Sequence, residues 1–231
     1  MGCQTMDWSR FESDWNRYSA MPDAELLSRT DAYPCLQDDT PSSPYDPHYF
    51  YQDIWAFKKV LASGATRHVD VGSRVDYVGF LSAVTSVTFV DIRPLRIDLE
   101  NFDGVAGSIL AMPFADGACD SVSCLHVAEH IGLGRYGDPL NPRGTVEAAL
   151  ELERVLASGG SLYFSVPIGR PRVCFNAHRV HSVEQILGYF PSLSLASFSC
   201  VDDSCVFREG VDPEILVGAN YACGMFHFTK G

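Results

Sequence analysis

A chain of 231 residues with 46% apolar side chains suits one covered α/β domain with a short extension, and two full domains would be cramped. A net charge of −12 opposes sequence-independent binding to nucleic-acid phosphates or to an anionic membrane, both of which need a basic face. Apolar stretches such as Ser161 to Ile168 are too short to cross a bilayer and no charged-then-apolar leader opens the chain, so a cytoplasmic protein is expected.

Met1-Gly2-Cys3 invites a lipid anchor, but the myristoylation pattern wants a hydroxyl residue where this chain has Met6. The eight cysteines form no CxxC pair, which speaks against a zinc ribbon or a dithiol redox motif and for reduced core thiols. Trp8, Phe11, Trp15 and Tyr18 recur at helical spacing and predict an amphipathic helix whose aromatic stripe packs on a core. The Pro-, Ser- and Asp-rich run from Asp31 to Pro47 reads as a loop, dividing an N-terminal extension, residues 1–46, from the main domain, residues 47–231.

Phe50, Ile54, Phe57 and Leu61 then make a helical stripe that stops at Gly64. Strands are expected at His68–Val71, Val87–Val90, Ser108–Leu110, Ser121–Leu125 and Leu162–Val166, with helices at Val75–Val84 and Gly144–Leu156, the latter ended by Gly159-Gly160. This alternation predicts a Rossmann-like, doubly wound and mostly parallel sheet covered on both faces. Ser182-Val183-Glu184-Gln185 reads as a capping box, and strands near Leu193–Val201 and Tyr221–Phe228 suggest an antiparallel hairpin at one sheet edge.

In such sheets ligands bind beyond the carboxyl ends of the strands, where the winding reverses. Three strand ends carry suitable residues. Asp70-Val71-Gly72-Ser73 offers a glycine for close backbone approach, Asp91-Ile92 lies about twenty residues on and suits ribose hydroxyls, and His126-Val127-Ala128-Glu129-His130 ends a third strand.

At these residues a resemblance appears. Met112-Pro113-Phe114-Ala115-Asp116 followed by Cys119-Asp120-Ser121-Val122 resembles the LPF-x-D-x-x-FD-x-V segment of class I S-adenosylmethionine (SAM) methyltransferases. Glu129-His130 resembles their EH after the fourth strand, and Glu151 to Gly160 their E-x-x-R-V-L-x-P-G-G; together these motifs cover roughly Arg67 to Pro167. More narrowly, Cys124 to Asp138 and Val173 to Arg179 resemble a methyltransferase-like family catalogued as domain of unknown function 268. The resemblance implies SAM as cofactor, held by Asp70, Gly72, Ser73, Asp91, Ile92, Ser108, Ile109 and Leu125, with Ser108 standing where many relatives place an acid near the adenine.

Arg135, Arg143, Arg154, Arg170, Arg172 and Arg179 crowd one stretch of an acidic chain, and the guanidinium fork suits carboxylate or phosphate. The expected reaction is therefore O- or N-methylation of a small anionic acceptor, with His126 or His178 as general base. The expected acceptor contacts are Tyr51, Gln52, His130, Arg135, Tyr136, Arg170, Arg172, Asn176 and Arg179. A homodimer is left open as the only protein partner. Two other readings stand beside it. The first loop has one glycine where these enzymes carry several, which favours a binding module that keeps the fold with an altered cofactor or none. His126 to His130 also matches the H-x-x-E-H of some zinc hydrolases, but the pattern straddles a strand end rather than one helix, so no metal is expected.

Overall fold

Asp46 starts the larger of two units, Met1–Tyr45 and Asp46–Gly231, into which the chain divides. The structure is a computed structural model that describes residues 7–231, so the Met1-Gly2-Cys3 and Met6 reading lies outside the described residues. In the smaller unit, the Asp7 side chain accepts the Arg10 N–H and caps α1, Trp8–Ser19. None of its residues is buried, so the aromatic stripe is not the core face expected of it. Instead Phe11 contacts Trp8 and Trp15, and Arg29, paired through both guanidinium nitrogens with Glu12, lies 4.2 Å over the Trp15 ring.

The larger unit opens with α2, Pro47–Ser63, whose start is set by the Asp46 carboxylate on the N–H groups of His48 and Tyr49 and by Pro47 in the first turn. Gly64 ends it at φ 67°, in the left-handed region. The buried face is Gln52, Trp55, Ala56 and Val60, whereas Phe50, Ile54 and Leu61 of the expected stripe are exposed. The helix is rotated relative to that reading because a polar residue, Gln52, has partners inside.

There follow β1 (Arg67–Val71), α3 (Val75–Leu81), β2 (Ser86–Asp91), β3 (Phe102–Ala106), β4 (Cys119–Leu125), α4 (Gly144–Val155) and β5 (Leu156–Ile168). A small hairpin of β6 (Arg172–Cys174) and β7 (His178–Val180) comes next, then α5 (Val183–Tyr189), β8 (Leu193–Val201), β9 (Phe207–Arg208) and β10 (Ala222–Lys230). The main sheet runs β3-β2-β1-β4-β5-β10-β8-β9; its first five strands are parallel, and β10, β8 and β9 join antiparallel. The doubly wound sheet with an antiparallel edge is thus present, with β10 inserted between β5 and β8. The winding reverses between β1 and β4, which opens the crevice at their carboxyl ends.

One face of the sheet packs Trp55, Tyr77, Leu81 and Phe89, the other Ala148, Leu152, Phe164 and Phe190. Such two-sided burial explains why β4 from Ser121 to Leu125 and β5 from Leu162 to Ile168 are buried residue after residue. The third parallel strand is Phe102–Ala106 and not Ser108–Leu110: Ser108 makes only an isolated bridge to Ala111. An edge strand buries little, so it tolerates Asp103 and Gly104, and a Cβ at Gly104 would lie 2.0 Å from the Leu95 carbonyl oxygen. Gly159 and Gly160 lie inside the start of β5 rather than in a helix-ending loop. Ser182 and Gln185 form the expected capping box of α5. All seven cysteines in the described residues are free thiols, with Cys119, Cys124, Cys200 and Cys223 buried. No helix among the described residues is long and apolar enough to cross a membrane.

Candidate active site

A cleft of about 560 Å³ opens beyond the ends of β1, β2 and β4, a size ordinary for small-molecule sites. Gly72, at φ 65°, follows β1 and lines it. A Cβ there would stand 3.2 Å from Val127 Cγ1 and 3.3 Å from Asp91 Oδ2, so the bare backbone leaves room that any other residue would fill. Asp91 ends β2; its Oδ1 accepts the Arg93 N–H at 2.6 Å, while Oδ2 faces Gly72. Ile92, Ser108 and Ile109 line the same cleft, joined by Val71, Gly107, Leu110 and Leu140, which sequence reasoning missed because apolar walls carry no motif.

Three expected cofactor residues lie elsewhere. Asp70 is fully buried: its carboxylate accepts the Ser73 N–H at 3.0 Å and the Ser123 hydroxyl, and burial pushes it up to about 7. Ser73 in turn accepts the Leu125 N–H at 3.1 Å, and Leu125 is core. This trio clamps the β1 loop to β4 and shapes the cleft from behind; none of the three lines it.

His126 follows β4 at φ 54°, a left-handed conformation that costs a non-glycine residue energy and concentrates at functional sites. Its Nδ1 lies 2.6 Å from Oε1 of Gln52, an oxygen that also accepts the Ser165 hydroxyl at 2.6 Å. Because the amide oxygen only accepts, the proton sits on Nδ1 and the Nε2 lone pair is left bare; Nε2 is buried without a partner. Burial holds this imidazole well below the usual histidine range, with His48, His130 and His178 adding to the shift. Gln52, expected to touch the acceptor, is therefore the group that orients His126.

Glu129 and His130 occupy the short turn Ala128–His130. Burial lifts the Glu129 carboxyl to about 8, and neither oxygen has a hydrogen-bond partner. His130 gives its Nδ1 proton to the Ala177 carbonyl at 2.6 Å, and burial lowers it to about 4. Rings close the wall beyond: Tyr136 meets His130 edge-on at 5.7 Å, His178 lies 6.4 Å from His130 and 5.3 Å from Tyr221, and Arg93 and Arg135 lie over Tyr136. Burial lowers His178 also, but no contact fixes its tautomer as Gln52 fixes that of His126.

The expected arginine clamp is not formed. Arg179 is buried and spends its guanidinium on the Ile131 and Asn141 carbonyls at 2.6 and 3.0 Å. Arg172 donates to the Arg170 and Asn220 carbonyls, Arg170 is exposed, and Asn176 is exposed in the turn between β6 and β7. Tyr51 stacks on Phe207 at 5.0 Å, away from the cleft lining. Arg135 stays near the site, donating to the Ala177 carbonyl at 3.3 Å. Of the clustered arginines, Arg135, Arg172 and Arg179 satisfy loop carbonyls, while Arg143 pairs with Glu147 and Arg154 with Glu151 and Asp116.

Solved structures share this architecture. The N-methyltransferase NodS from Bradyrhizobium japonicum WM9, solved with S-adenosyl-l-homocysteine (SAH), is 15% identical, with 94% of this chain and 97% of that chain covered and a TM-score of 0.55. The 1,6-didemethyltoxoflavin-N1-methyltransferase of Burkholderia thailandensis, solved with its namesake compound and SAH, is 13% identical over 83% of this chain and 94% of that one, with a TM-score of 0.51. SpnF, a (4+2) cyclase, is 13% identical over 77% and 80% at a TM-score of 0.52. No curated protein matches the sequence significantly. The fold is thus that of the class I SAM-dependent methyltransferases, and since residues 70–202, more than half of the chain, match the profile described as Caenorhabditis protein of unknown function, DUF268, the chain belongs to that family.

Proposed function

We propose that the protein is a methyltransferase that binds SAM in the cleft between β1, β2 and β4 and methylates a small molecule. The observation that carries this reading is the facing pair of Gly72 and Asp91 Oδ2 at two neighbouring strand ends, an open backbone beside a carboxylate. Asp91 would accept the ribose hydroxyls, the Gly72 backbone would admit the amino-acid portion, and Ser108 and Ile109 would flank the adenine. The two structural neighbours solved with SAH lend support by their fold.

When bound, SAM supplies an electrophilic methyl group on a sulfonium. The chain supplies position and a proton acceptor. Nε2 of His126 is bare, fixed in direction by Gln52 and Ser165, and neutral at physiological pH, so it can take a proton from the acceptor as the new bond forms. Calorimetric titration with SAH tests the reading: saturable binding in the wild type that is weakened about tenfold or more in Asp91→Ala supports it, and absence of heat at millimolar SAH overturns it. Because a cyclase shares the fold, a methylated product must then be sought by mass spectrometry.

A further inference from the structure

Beside the cleft, the turn after β4 holds hydrogen-bond acceptors that lack donors. Both oxygens of Glu129 and Nε2 of His126 are buried and unpartnered. Nε2 of His130, bare because its Nδ1 proton goes to Ala177, stands 3.7 Å from Oε1 of Glu129. Each such buried polar atom is costly until a partner arrives, and Glu129 keeps its proton at neutral pH until a cation takes its place. The surroundings are π-faced: Tyr49 and His48 lie 5.3 and 5.9 Å from His126, and His48 stacks on Tyr221 at 5.5 Å. Two carboxylates flank this wall, Asp46 at the head of α2 and Asp203, whose Oδ1 holds the Tyr221 N–H at 2.8 Å.

We propose, on the premise that the methyltransfer reading holds, that these residues form a subsite for a primary-amine acceptor, with its ammonium group seated on Glu129 and donating to His126 and His130. With Arg135 engaged on the Ala177 carbonyl and the Tyr136 ring, a carboxylate for the charge, lone pairs for the N–H groups and aromatic faces for the cation are the complement of an ammonium. The wall of Tyr49, His48 and Tyr221 must move aside to admit it. A metal ion fits less well. Zinc draws its ligand atoms to about 2.0–2.2 Å from one point, whereas an ammonium nitrogen keeps acceptors at about 2.9 Å. Among the described residues no three His, Cys, Asp or Glu side chains are arranged to hold a metal. On deprotonation an N–H bond of the ammonium breaks, its electron pair stays on nitrogen, and the proton passes to the Glu129 carboxylate, which burial makes a stronger base than the neutral His126. The products are a neutral amine with a lone pair beside the cleft and a neutral Glu129 carboxyl.

Histidine-labelled protein titrated with n-butylammonium chloride, 1-butanol or sodium butyrate, each with and without SAH, tests this by NMR. The ammonium salt should shift the His126 and His130 ring resonances saturably, while the alcohol and the carboxylate should not. Glu129→Gln, similar in shape but uncharged, should weaken the ammonium at least tenfold. Tyr221→Leu, at a partly exposed position, should weaken it severalfold. Unchanged ammonium affinity in both variants, or equal shifts from butanol or butyrate, would overturn the proposal. So would a divalent cation, Mn²⁺ or Zn²⁺ alone, that binds there more tightly than the ammonium and is lost in Glu129→Gln. SAH binding without an ammonium response sinks the subsite alone; an ammonium response without SAH binding leaves the subsite and sinks the methyltransfer reading.

Discussion

Oε1 of Gln52 lies 2.6 Å from Nδ1 of His126, so a glutamine of α2 decides which nitrogen of a histidine beyond β4 carries the proton. Ser165 of β5 donates to the same oxygen and holds the amide in that orientation. Gln52→Leu keeps the volume and removes the acceptor. Two-dimensional ¹⁵N spectra of the histidine rings should then change from one His126 tautomer, protonated at Nδ1, to a mixture, with SAH affinity unchanged within about twofold. Once an acceptor is known, kcat should fall about tenfold or more with KM little altered, the pattern of a positioning residue. A single unaltered tautomer in the variant would show that Gln52 only fills space.

Asp91 and Gly72 make the second prediction, through the space between them. Asp91→Ala should cost at least about 1.5 kcal/mol of SAH binding, the value of a charge-assisted hydrogen bond, with a smaller loss of stability from the Arg93 N–H left without its acceptor. Gly72→Ala should abolish SAH binding and also lower stability, since φ 65° and the contact with Val127 both resist a Cβ. Calorimetry and thermal melts of the two variants separate these outcomes.

The sheet was legible because its signals are local: alternating strand and helix patterns, the Ser182 capping box and the glycines after β1 and α2 each act over a few residues. What was illegible depends on partners distant in sequence. Gln52 is buried only because His126 and Ser165 satisfy it, and that reversed the expected face of α2. Asp70 at a strand end looks like a ligand group until Ser123, 53 residues on, turns it inward. The arginines after β4 and β5 gave a charge pattern that fits either an anion or a set of loop carbonyls, and only geometry separates the two. Glu129 matched a motif, yet its missing partners cannot be read from any spacing.

Arg179 therefore makes a structural prediction in place of the expected acceptor contact. Its two terminal nitrogens bridge Ile131 and Asn141, both on the cleft rim, and Nη1 also approaches the Thr145 hydroxyl at 3.4 Å. A lysine at this buried site keeps the charge but reaches one carbonyl, so the other is left without a donor. Arg179→Lys should destabilise the protein by about 2 kcal/mol in urea titrations, with faster hydrogen exchange across residues 131–141. Full stability in this variant would show that the loop does not depend on the bridge.

Glu129 yields a prediction about pH whose sign follows from its burial. The carboxyl titrates near 4.5 when solvated and near 8 in the folded chain, chiefly because burial penalises its charge. Between those values the unfolded chain has released the proton and the folded chain has kept it, so this group makes stability fall as pH rises from about 4.5 to about 8, by at most about 1.4 kcal/mol per pH unit. The effect is absent below the lower value and complete above the upper one. Glu129→Gln removes it, and the new amide can donate toward the bare Nε2 of His130, 3.7 Å from Oε1 in the parent. The burial-raised Asp70 and Asp53, and the burial-lowered His68 and His181, bend the profiles of both proteins alike and cancel in the difference. Urea midpoints measured without amine should show the variant gaining on the wild type steadily from pH 5 to pH 8, and n-butylammonium should shrink that gain by stabilising the wild type more than the variant. A difference that does not vary with pH would mean that the Glu129 carboxylate already has a partner in solution, which removes the charge-pairing argument for the amine subsite.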